Sequence, residues 1–245
     1  MNILRAKILL TALPCLLAIA GATLAEAASA ADLKPYTATY NLSRNGDIVG
    51  TTMLTLTPTP GGWQYQSFDK GTRGTAAWIA AKVEEESQIA RSGGSIEMRS
   101  YNYRLSTVAT HKHQTIVANP ATHSVSVQGD KHDYSYPMQP GVVDKLSLTV
   151  AIAQDLANGK RGTLSYPVAG RDHIDAQQYQ VGAEQKVNVP VGSQRAIMVS
   201  RVLDASAKGK STTYWFGLDN GFVPVRIVHS DKDGTEELQL ASLAH

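Results

Sequence analysis

Cysteine is almost absent from this sequence. The single Cys15 lies inside an apolar stretch near the amino terminus, directly after Pro14. A lipoprotein signal places a small residue before its cysteine, so lipid attachment is not expected at Cys15. No disulfide can form among the later residues, and the fold must gain its stability from a hydrophobic core.

An excess of charge of either sign is also missing. The chain has 23 Lys and Arg against 21 Asp and Glu, a formal net charge of +2. Nucleic-acid-binding proteins carry a basic surface, so no nucleic-acid partner is expected. Beyond the first thirty residues, no run is apolar enough to cross a bilayer, and none has the pattern of a basic amphipathic helix.

Catalytic motifs are absent as well. The sequence contains no Gly-x-Ser-x-Gly motif, phosphate-binding loop, dinucleotide fingerprint or zinc-protease helix motif. We therefore predict no catalytic residue and no cofactor. Because catalytic groups can be assembled from distant parts of a chain, a hydrolase or metal-dependent enzyme stays open as the less favoured class.

The amino terminus has the organisation of a cleavable export signal over residues 1–30. A basic start precedes an apolar run over residues 8–20, and Ala28-Ser29-Ala30 forms a small-residue cleavage site. The run is shorter than the ~20 residues of a membrane span. The sequence thus predicts a periplasmic protein whose remaining residues, 31–245, form a single β-rich domain.

Alternation of apolar and polar residues recurs through this domain. Turn signals separate such segments every ~8–12 residues, which predicts an antiparallel sheet of roughly a dozen strands. Before residue 210 we expect strands at 36–43, 48–57, 63–70, 83–90, 96–105, 111–118, 123–128, 163–168, 173–182, 185–189 and 194–204.

The carboxyl-terminal segment has the clearest register. Asn220-Gly221 is a strong signal for a tight hairpin, and Asp233-Gly234 turns the chain again. The residues that these turns place on one apolar face are Tyr214, Phe216, Leu218, Val223, Val225, Ile227, Leu238 and Leu240. The pairs implied by the first turn are Phe216 with Val225 and Tyr214 with Ile227. Because three strands agree on one face, that face must be covered.

One long helix is expected over Val142–Ala157. Asp144 is a suitable N-cap, Leu148, Ile152 and Leu156 keep helical spacing, and Gly159 suits the carboxyl-terminal end. The apolar residues cover a broad arc, so the helix should be buried. The predicted fold is mainly all-β, a highly curved antiparallel sheet or open barrel wrapped around this central helix.

Weak ligand-binding candidates come from the aromatic and apolar residues. Trp78 and Ile79 belong to an alanine-rich stretch, 76–81, which reads as a helical turn, a buried strand or a loop over the mouth of the barrel. Tyr101 and Tyr103 belong to the same candidate set, although packing on a sheet face is the favoured interpretation.

Trp215 and Arg226 complete the ligand candidates. The predicted register places them opposite each other on the outer face of the hairpin. A guanidinium over an indole is attractive by ~0.5–1 kcal/mol. A cross-strand contact that stabilises the sheet is the favoured interpretation over a ligand platform.

Histidines provide the weak metal candidates. His111 and His113 are two residues apart, so both face the same side of a strand. With a two-residue turn at Pro120-Ala121, His111 lies opposite Asp130 and His132 joins the same face, which would suit zinc or copper. Because the register is weakly specified here, a solvated polar face is favoured and no metal is predicted.

A cluster of carboxylates gives one further alternative. Glu84 and Glu86 share a strand face, and Glu97 lies near them in the returning strand. Paired carboxylates can hydrolyse glycosides. Acidic residues of this kind are more often a solvated face that blocks aggregation, which is the favoured interpretation.

Three segments resemble the bacterial domain-of-unknown-function 3108 family. They are Pro35–Leu42 followed by Asn45-Gly46 and Gly50, Val143–Ser147, and Tyr214-Trp215-Phe216 with Asp219 and Val223–Ile227. Lys145 stands where the family tends to have proline. The resemblance implies an exported envelope protein with an incompletely closed antiparallel sheet. It carries over no catalytic residue, because the family has no established activity.

These features favour a non-catalytic periplasmic protein that binds a lipid or another apolar or amphipathic envelope molecule. By fold analogy, lipoprotein carriers hold acyl chains between a curved sheet and a helix. The alternative is a structural or interaction protein of the cell envelope with a filled core. The two differ in whether the space between sheet and helix is filled.

Overall fold

The computed structural model describes residues 33–92, 94–203 and 209–245. The predicted export signal, residues 1–30, lies outside the described residues, as does the end of the strand expected at 194–204. In the described part, no helix combines the length and the apolar character that crossing a bilayer requires.

The described residues form one antiparallel sheet in the order β8-β7-β6-β5-β4-β3-β2-β1-β14-β13-β12-β11-β10-β9. The strands are β1 Tyr36–Arg44, β2 Asp47–Thr59, β3 Gly62–Gly71, β4 Lys82–Ser92, β5 Ser95–Ser106, β6 His111–Asn119, β7 Ser124–Gly129, β8 Tyr134–Pro137, β9 Thr163–Ala169, β10 Ile174–Val189, β11 Gly192–Arg201, β12 Ser211–Gly217, β13 Pro224–Asp231 and β14 Gly234–Ala244. The sheet is not closed, and β8 and β9 are its outer strands.

Alternation and turn chemistry explain the first hairpin. Tyr36, Ala38 and Tyr40 are buried on one face of β1, with more exposed residues between them. Asn45 and Gly46 have φ angles of 51° and 93°, so both adopt the left-handed conformation that a tight hairpin turn requires. The turn predicted at this dipeptide is confirmed.

The first and last strands are neighbours in the middle of the sheet. β1 pairs with β14, and Leu42 lies opposite Leu238. At the end of this ladder the backbone N–H of Asn45 donates to Thr235 O at 2.8 Å, and the Thr235 N–H donates to Asn45 Oδ1 at 2.9 Å. The first hairpin turn is therefore fixed to the start of the last strand.

The register of the C-terminal hairpin is confirmed in one pair and wrong in the other. Tyr214 lies opposite Ile227, as predicted. Phe216 lies opposite Pro224 rather than Val225, because a bulge follows Trp215. Proline cannot donate to the ladder, and a bulge is one of the few places where a sheet tolerates it.

Two other strand predictions also need correction. The strands expected at 173–182 and 185–189 are one strand, β10, with a register shift between Val181 and Glu184. The bulge absorbs the irregular pattern that suggested a turn. β8 was not predicted, because four residues are too few to show a period.

The long helix, α2, spans Ser147–Ala157 and begins five residues later than predicted. Val142 and Val143 precede the helix instead of belonging to it, because both are hydrogen-bonded to strands. Met98 N–H donates to Val142 O at 2.9 Å, and Val143 forms a bridge with Val168 of β9. Gly159 follows the helix with φ at +79°, as its role as a stop requires.

Asp144 nevertheless holds the start of α2. Its Oδ1 accepts from the backbone N–H groups of Leu146 at 2.8 Å and Ser147 at 2.9 Å, and from Ser87 Oγ of β4 at 2.7 Å. The Ser147 hydroxyl donates to Oδ2 at 2.7 Å. One buried carboxyl group thus satisfies the helix start and fixes it to the sheet.

Most of α2 is buried, as its broad apolar arc predicted. Ile152 is fully buried and Leu156 is 1% exposed, and both belong to the main hydrophobic core with residues of β1 to β5 and of β9 to β14. A smaller cluster lies under β5, β6 and β7. The stretch expected at 76–81 contains the end of a short helix, α1, at Gly74–Trp78.

Candidate binding pocket

A pocket of ≈480 Å³ lies between the first turn of α2 and the buried face of the sheet, and we call it the inner pocket. Its apolar floor is formed by Leu54, Tyr65, Leu148, Val168, Tyr179 and Tyr214. The same apolar floor continues through Leu42, Leu146, Ile227 and Leu238. Its charged rim consists of Asp69, Glu85, Lys145, Arg201, His229 and Glu236.

The gradient from apolar floor to polar rim follows from strand periodicity. Side chains two residues apart lie on the same face of a strand. Ile227 is therefore followed on the pocket side by His229, and on β14 Leu238 has Glu236 as its pocket-side neighbour. Each strand delivers apolar residues to the interior and a polar residue to its end, which makes the pocket amphipathic.

Asp69 is the rim group with the most altered acidity. It lies on β3 opposite Thr52, and its carboxyl group is 3.4 Å from Ser67 Oγ. Burial raises the pKa of Asp69 to about 6, the hydroxyls of Thr52 and Ser67 lower it, and the nearby carboxylate of Glu85 raises it. The neutral form of Asp69 is therefore well populated at mildly acidic pH.

Glu85 and Lys145 form the part of the rim nearest α2. Lys145 Nζ lies 3.1 Å from Glu85 Oε1, and the hydroxyl of Tyr101 donates to Glu85 Oε2 at 2.7 Å. Burial, followed by the charge of Glu85, raises the pKa of Tyr101. Lys145 Nζ also lies 4.8 Å from the ring centre of Tyr103.

Tyr101 and Tyr103 therefore support the rim rather than line the pocket. Tyr101 is 1% exposed and places the carboxylate of Glu85, while Tyr103 lies beneath the ammonium group of Lys145. Both tyrosines thus contact charged groups of the rim.

A second pocket of ≈550 Å³, the outer pocket, lies beside α1. Ile79 lines it, as do Thr75 and Ala76. Leu42, Asp69 and Glu236 line both pockets, so the two adjoin. The side chain of Trp78 lies outside the described part of the chain.

Trp215 and Arg226 lie opposite each other, as predicted, and away from both pockets. The Arg226 guanidinium is 4.7 Å from the Trp215 ring centre, and its Nε donates to Glu237 Oε1 at 2.6 Å. The guanidinium is thereby satisfied within the sheet. The contacts of Arg226 on β13 therefore join this strand to both of its neighbours, β12 and β14.

The histidine candidates do not converge. The β6–β7 turn contains four residues, because Asn119 pairs with Ser124, and Asp130 consequently contacts His113 rather than His111. His132 packs edge-on against Tyr134, with 6.3 Å between ring centres. Within residues 33–92, 94–203 and 209–245, no three His, Cys, Asp or Glu side chains form a group that could hold a metal ion.

The carboxylates considered for acid–base chemistry are also separated. Glu97 lies opposite Ala90 and accepts from the Gly141 N–H at 3.1 Å. Glu86 accepts from the amides of Gln66 at 2.9 Å and Gln88 at 3.0 Å. The expectation that Glu97 lies near Glu84 and Glu86 was wrong, because the hairpin register places it at the far end of β4.

Sequence reasoning missed the rim, above all Asp69, Arg201 and His229. The available signal was spacing along the strand. Each of these polar residues lies an even number of positions from buried residues of its own strand, and therefore on the same face. On β11, for example, Ile197 and Val199 are buried and Arg201 follows two residues later. A charged residue in phase with a buried face indicates either a strand end or a pocket.

Fold and pocket together define an antiparallel β-sheet protein with an amphipathic pocket on the buried face of its sheet. The chain belongs to the family described as protein of unknown function (DUF3108), whose sequence model matches residues 35–241. The resemblance carried by the strand and turn motifs is thereby confirmed.

A solved structure supports the same architecture. The crystal structure of a beta-barrel-like protein of the domain of unknown function DUF1849 from Brucella abortus aligns with 86% of this chain and 97% of its own, with a TM-score of 0.56 and 9% identity. At this identity the similarity concerns the fold alone. No curated protein matches the sequence.

Proposed function

We propose that this protein is a non-catalytic periplasmic factor that binds an apolar or amphipathic molecule of the cell envelope. In this proposal the sheet curves around α2 as an open barrel and holds the ligand in the inner pocket. The observation that carries the proposal is the graded lining, in which an apolar floor lies beneath a charged rim. An amphiphile has the matching distribution of polarity.

The sizes of the pockets support this proposal. The inner pocket of ≈480 Å³ and the outer pocket of ≈550 Å³ are both within the range of about 300–1,000 Å³ for small-molecule sites. Because Leu42 and Asp69 line both, the outer pocket offers a route from the surface beside α1 to the floor.

The two alternatives depend on other observations. An interaction protein with a filled core is favoured by the dense packing around Ile152 and Phe216, which are fully buried. An enzyme is favoured by the pKa of about 6 of Asp69, a value suited to acid–base chemistry. However, the Asp69–Ser67 distance of 3.4 Å exceeds the ~2.6–3.2 Å of an activated nucleophile.

Uptake of a neutral fluorescent probe, N-phenyl-1-naphthylamine, tests the binding proposal. Ser67 lines the inner pocket between Tyr65 and Asp69, so Ser67→Phe should fill it with a ring. We expect this variant to bind the probe at least ~10-fold more weakly than wild type, since a well-packed site rejects extra volume. Gln64→Phe adds the same ring to the opposite face of β3 and should leave binding unchanged.

Native mass spectrometry of protein purified gently from the periplasm gives the second measurement. We expect a mature chain beginning at Ala31 with additional bound mass in the lipid range. If wild-type protein carries no such mass and takes up no probe, the binding proposal fails and the filled-core interaction protein replaces it. The comparison requires that Ser67→Phe is folded, which a cooperative thermal unfolding transition of this variant would show.

A further inference from the structure

The rim of the inner pocket is divided by charge. Glu85 has a cationic partner in Lys145 at 3.1 Å, and Glu236 has one in Arg44 at 3.6 Å. Arg201 lies on β11, three strands along the sheet from Glu236 on β14. Among the described residues, no carboxylate forms an ion pair with Arg201. On the basic side of the rim, Arg201 therefore has no carboxylate partner within the part of the chain that the structure describes.

Two hydrogen-bonding groups lie next to Arg201 on the same edge of the pocket. The β11–β12 ladder ends at the pair Ser200–Thr213, and Arg201 and Thr212 are the next residues on these two strands. Both line the inner pocket. Thr212 pairs in turn with His229, and Thr212 Oγ1 lies 3.0 Å from His229 Nδ1. We call Arg201, Thr212 and His229 the basic row. Thr212 and His229 lie two residues nearer the rim than Tyr214 and Ile227 of the apolar floor on the same strands.

We infer that the inner pocket takes an amphiphile with an anionic head group, whose carboxylate or phosphate oxygens pair with Arg201 beside Thr212 and His229. This inference rests on the proposed function and specifies its ligand class. The apolar chain of the ligand would lie on the floor formed by Tyr214, Leu148 and Leu54.

Charge complementarity selects this class over the others. Arg201 is only partly exposed, and a partly buried guanidinium gains most from a partner that carries the opposite charge. Its planar set of donors fits carboxylate and phosphate oxygens in a bidentate manner. A neutral amphiphile would leave this charge unmatched. A cationic head group would find its counter-charge at Asp69 on the acidic side of the rim, but it would leave the charge of Arg201 unmatched as well.

Probes with one chain length and different head groups test the inference. Tetradecanoic acid, tetradecyl phosphate, 1-tetradecanol and tetradecyltrimethylammonium are titrated, below their micelle concentrations, against protein loaded with N-phenyl-1-naphthylamine. At pH 7.5 the two anions should displace the probe with dissociation constants about 10- to 100-fold below that of the alcohol, the range expected for a hydrogen bond to a charged group. The ranking of acid against phosphate distinguishes a fatty acid from a phosphate-bearing lipid.

Variants assign the preference to Arg201. Arg201→Gln should remove the advantage of the anions over the alcohol. Arg201→Lys should keep part of the advantage, because it retains charge but loses the bidentate geometry. Arg195→Gln is the matched control, since Arg195 lies on the same strand but pairs with Asp219 at 3.1 Å outside the pocket.

The outcomes separate this inference from the proposal beneath it. Equal affinity for acid and alcohol, preference for the cationic probe, or an anion preference that survives in Arg201→Gln overturns the anionic ligand class and leaves a binding protein of another specificity. Failure of all four probes to bind wild-type protein overturns both. If Arg201→Gln does not fold, the wild-type series and Arg201→Lys still decide the question.

Discussion

The two ends of the buried face of the sheet differ in packing, although the same strands build both. On β12, Phe216 is fully buried and stacks on Tyr214 with 5.6 Å between ring centres, whereas Thr212 near the other end of the strand reaches the pocket rim. On β13, Val225 is fully buried and His229 is half-buried. One end is a packed core and the other borders the inner pocket.

This difference shows where the sequence departs from maximal stability. A strand selected only for packing would continue its apolar residues to the end, because burying a polar group costs free energy unless it is hydrogen-bonded. Instead, Thr212, His229 and Glu236 lie on the buried face at the pocket end of their strands. We therefore expect substitutions at the packed end to reduce stability and substitutions at the pocket end to change binding.

Truncation of one apolar residue at each end should show the largest contrast in stability. Phe216→Ala leaves a cavity in a fully packed region, so its free energy of unfolding should fall by about 3–5 kcal/mol. Leu238→Ala borders a space that already exists and should cost less than half as much. Urea unfolding followed by circular dichroism measures both values, and equal losses would contradict the division between core and pocket.

Removal of Asp144, which fixes the start of α2 to β4, should have the next largest effect. Asp144→Ala leaves Ser87 and two backbone N–H groups without their acceptor, so we expect a loss of about 2–4 kcal/mol. Asp144→Asn keeps one acceptor oxygen and should lose less. Lys145→Ala serves as the neighbouring control and should cost no more than ~1 kcal/mol. A small effect of Asp144→Ala would show that α2 is held by packing alone.

At the pocket end, the titration of Asp69 should make the free energy of unfolding depend on pH. The folded protein raises the pKa of Asp69 from 3.8 to about 6, so it binds a proton more tightly than the unfolded chain does. The contribution of Asp69 to stability therefore decreases as pH rises from about 4 to about 6, and the loss is complete above that range.

Asp69→Asn removes this titration. It should raise stability at pH 7 by roughly 1–2 kcal/mol and flatten the decline between pH 4 and pH 6. Urea unfolding at a series of pH values gives the slope, with the exposed Asp47→Asn as the control. An unchanged slope in Asp69→Asn would show that Asp69 titrates like a solvated carboxylate.

The outer face should respond least. Arg226→Ala removes the contact with Trp215 and the ion pair with Glu237, and both are partly exposed, so we expect a loss of roughly 0.5–1 kcal/mol. Binding of N-phenyl-1-naphthylamine should not change. A loss of probe binding in this variant would instead show that Trp215 and Arg226 take part in ligand binding.

Much of the fold was predictable because its signals are local. Asn45-Gly46 specifies a turn through backbone conformation, and the alternation on β1 specifies which residues are buried. The start of α2 was not, because Val142 and Val143 have the apolar pattern of a helix and are held extended by Met98 and Val168. Contacts with residues distant in sequence overrode the local pattern.

The candidate site was far less predictable for the same reason. Ile79 could be selected from an apolar stretch, and it lines the outer pocket. Arg201, Thr212 and His229 come from three strands, and only the assembled register places them side by side. Nor could the sequence tell that Tyr101 supports Glu85, since that contact depends on the β4–β5 register.

The pairing of β1 with β14 has a consequence for the order of folding. Strands β2 to β8 and β9 to β13 are meanders that need only neighbouring segments, whereas the central ladder joins Tyr40 to Leu240. Closing a loop of this length carries a large entropic cost before any contact rewards it. Synthesis delivers β1 first and β14 last, so two half-sheets can form early but become one sheet only when the final strand arrives. Until then β1 and β13 each present an unpaired edge, the form in which a β-protein is most prone to aggregate.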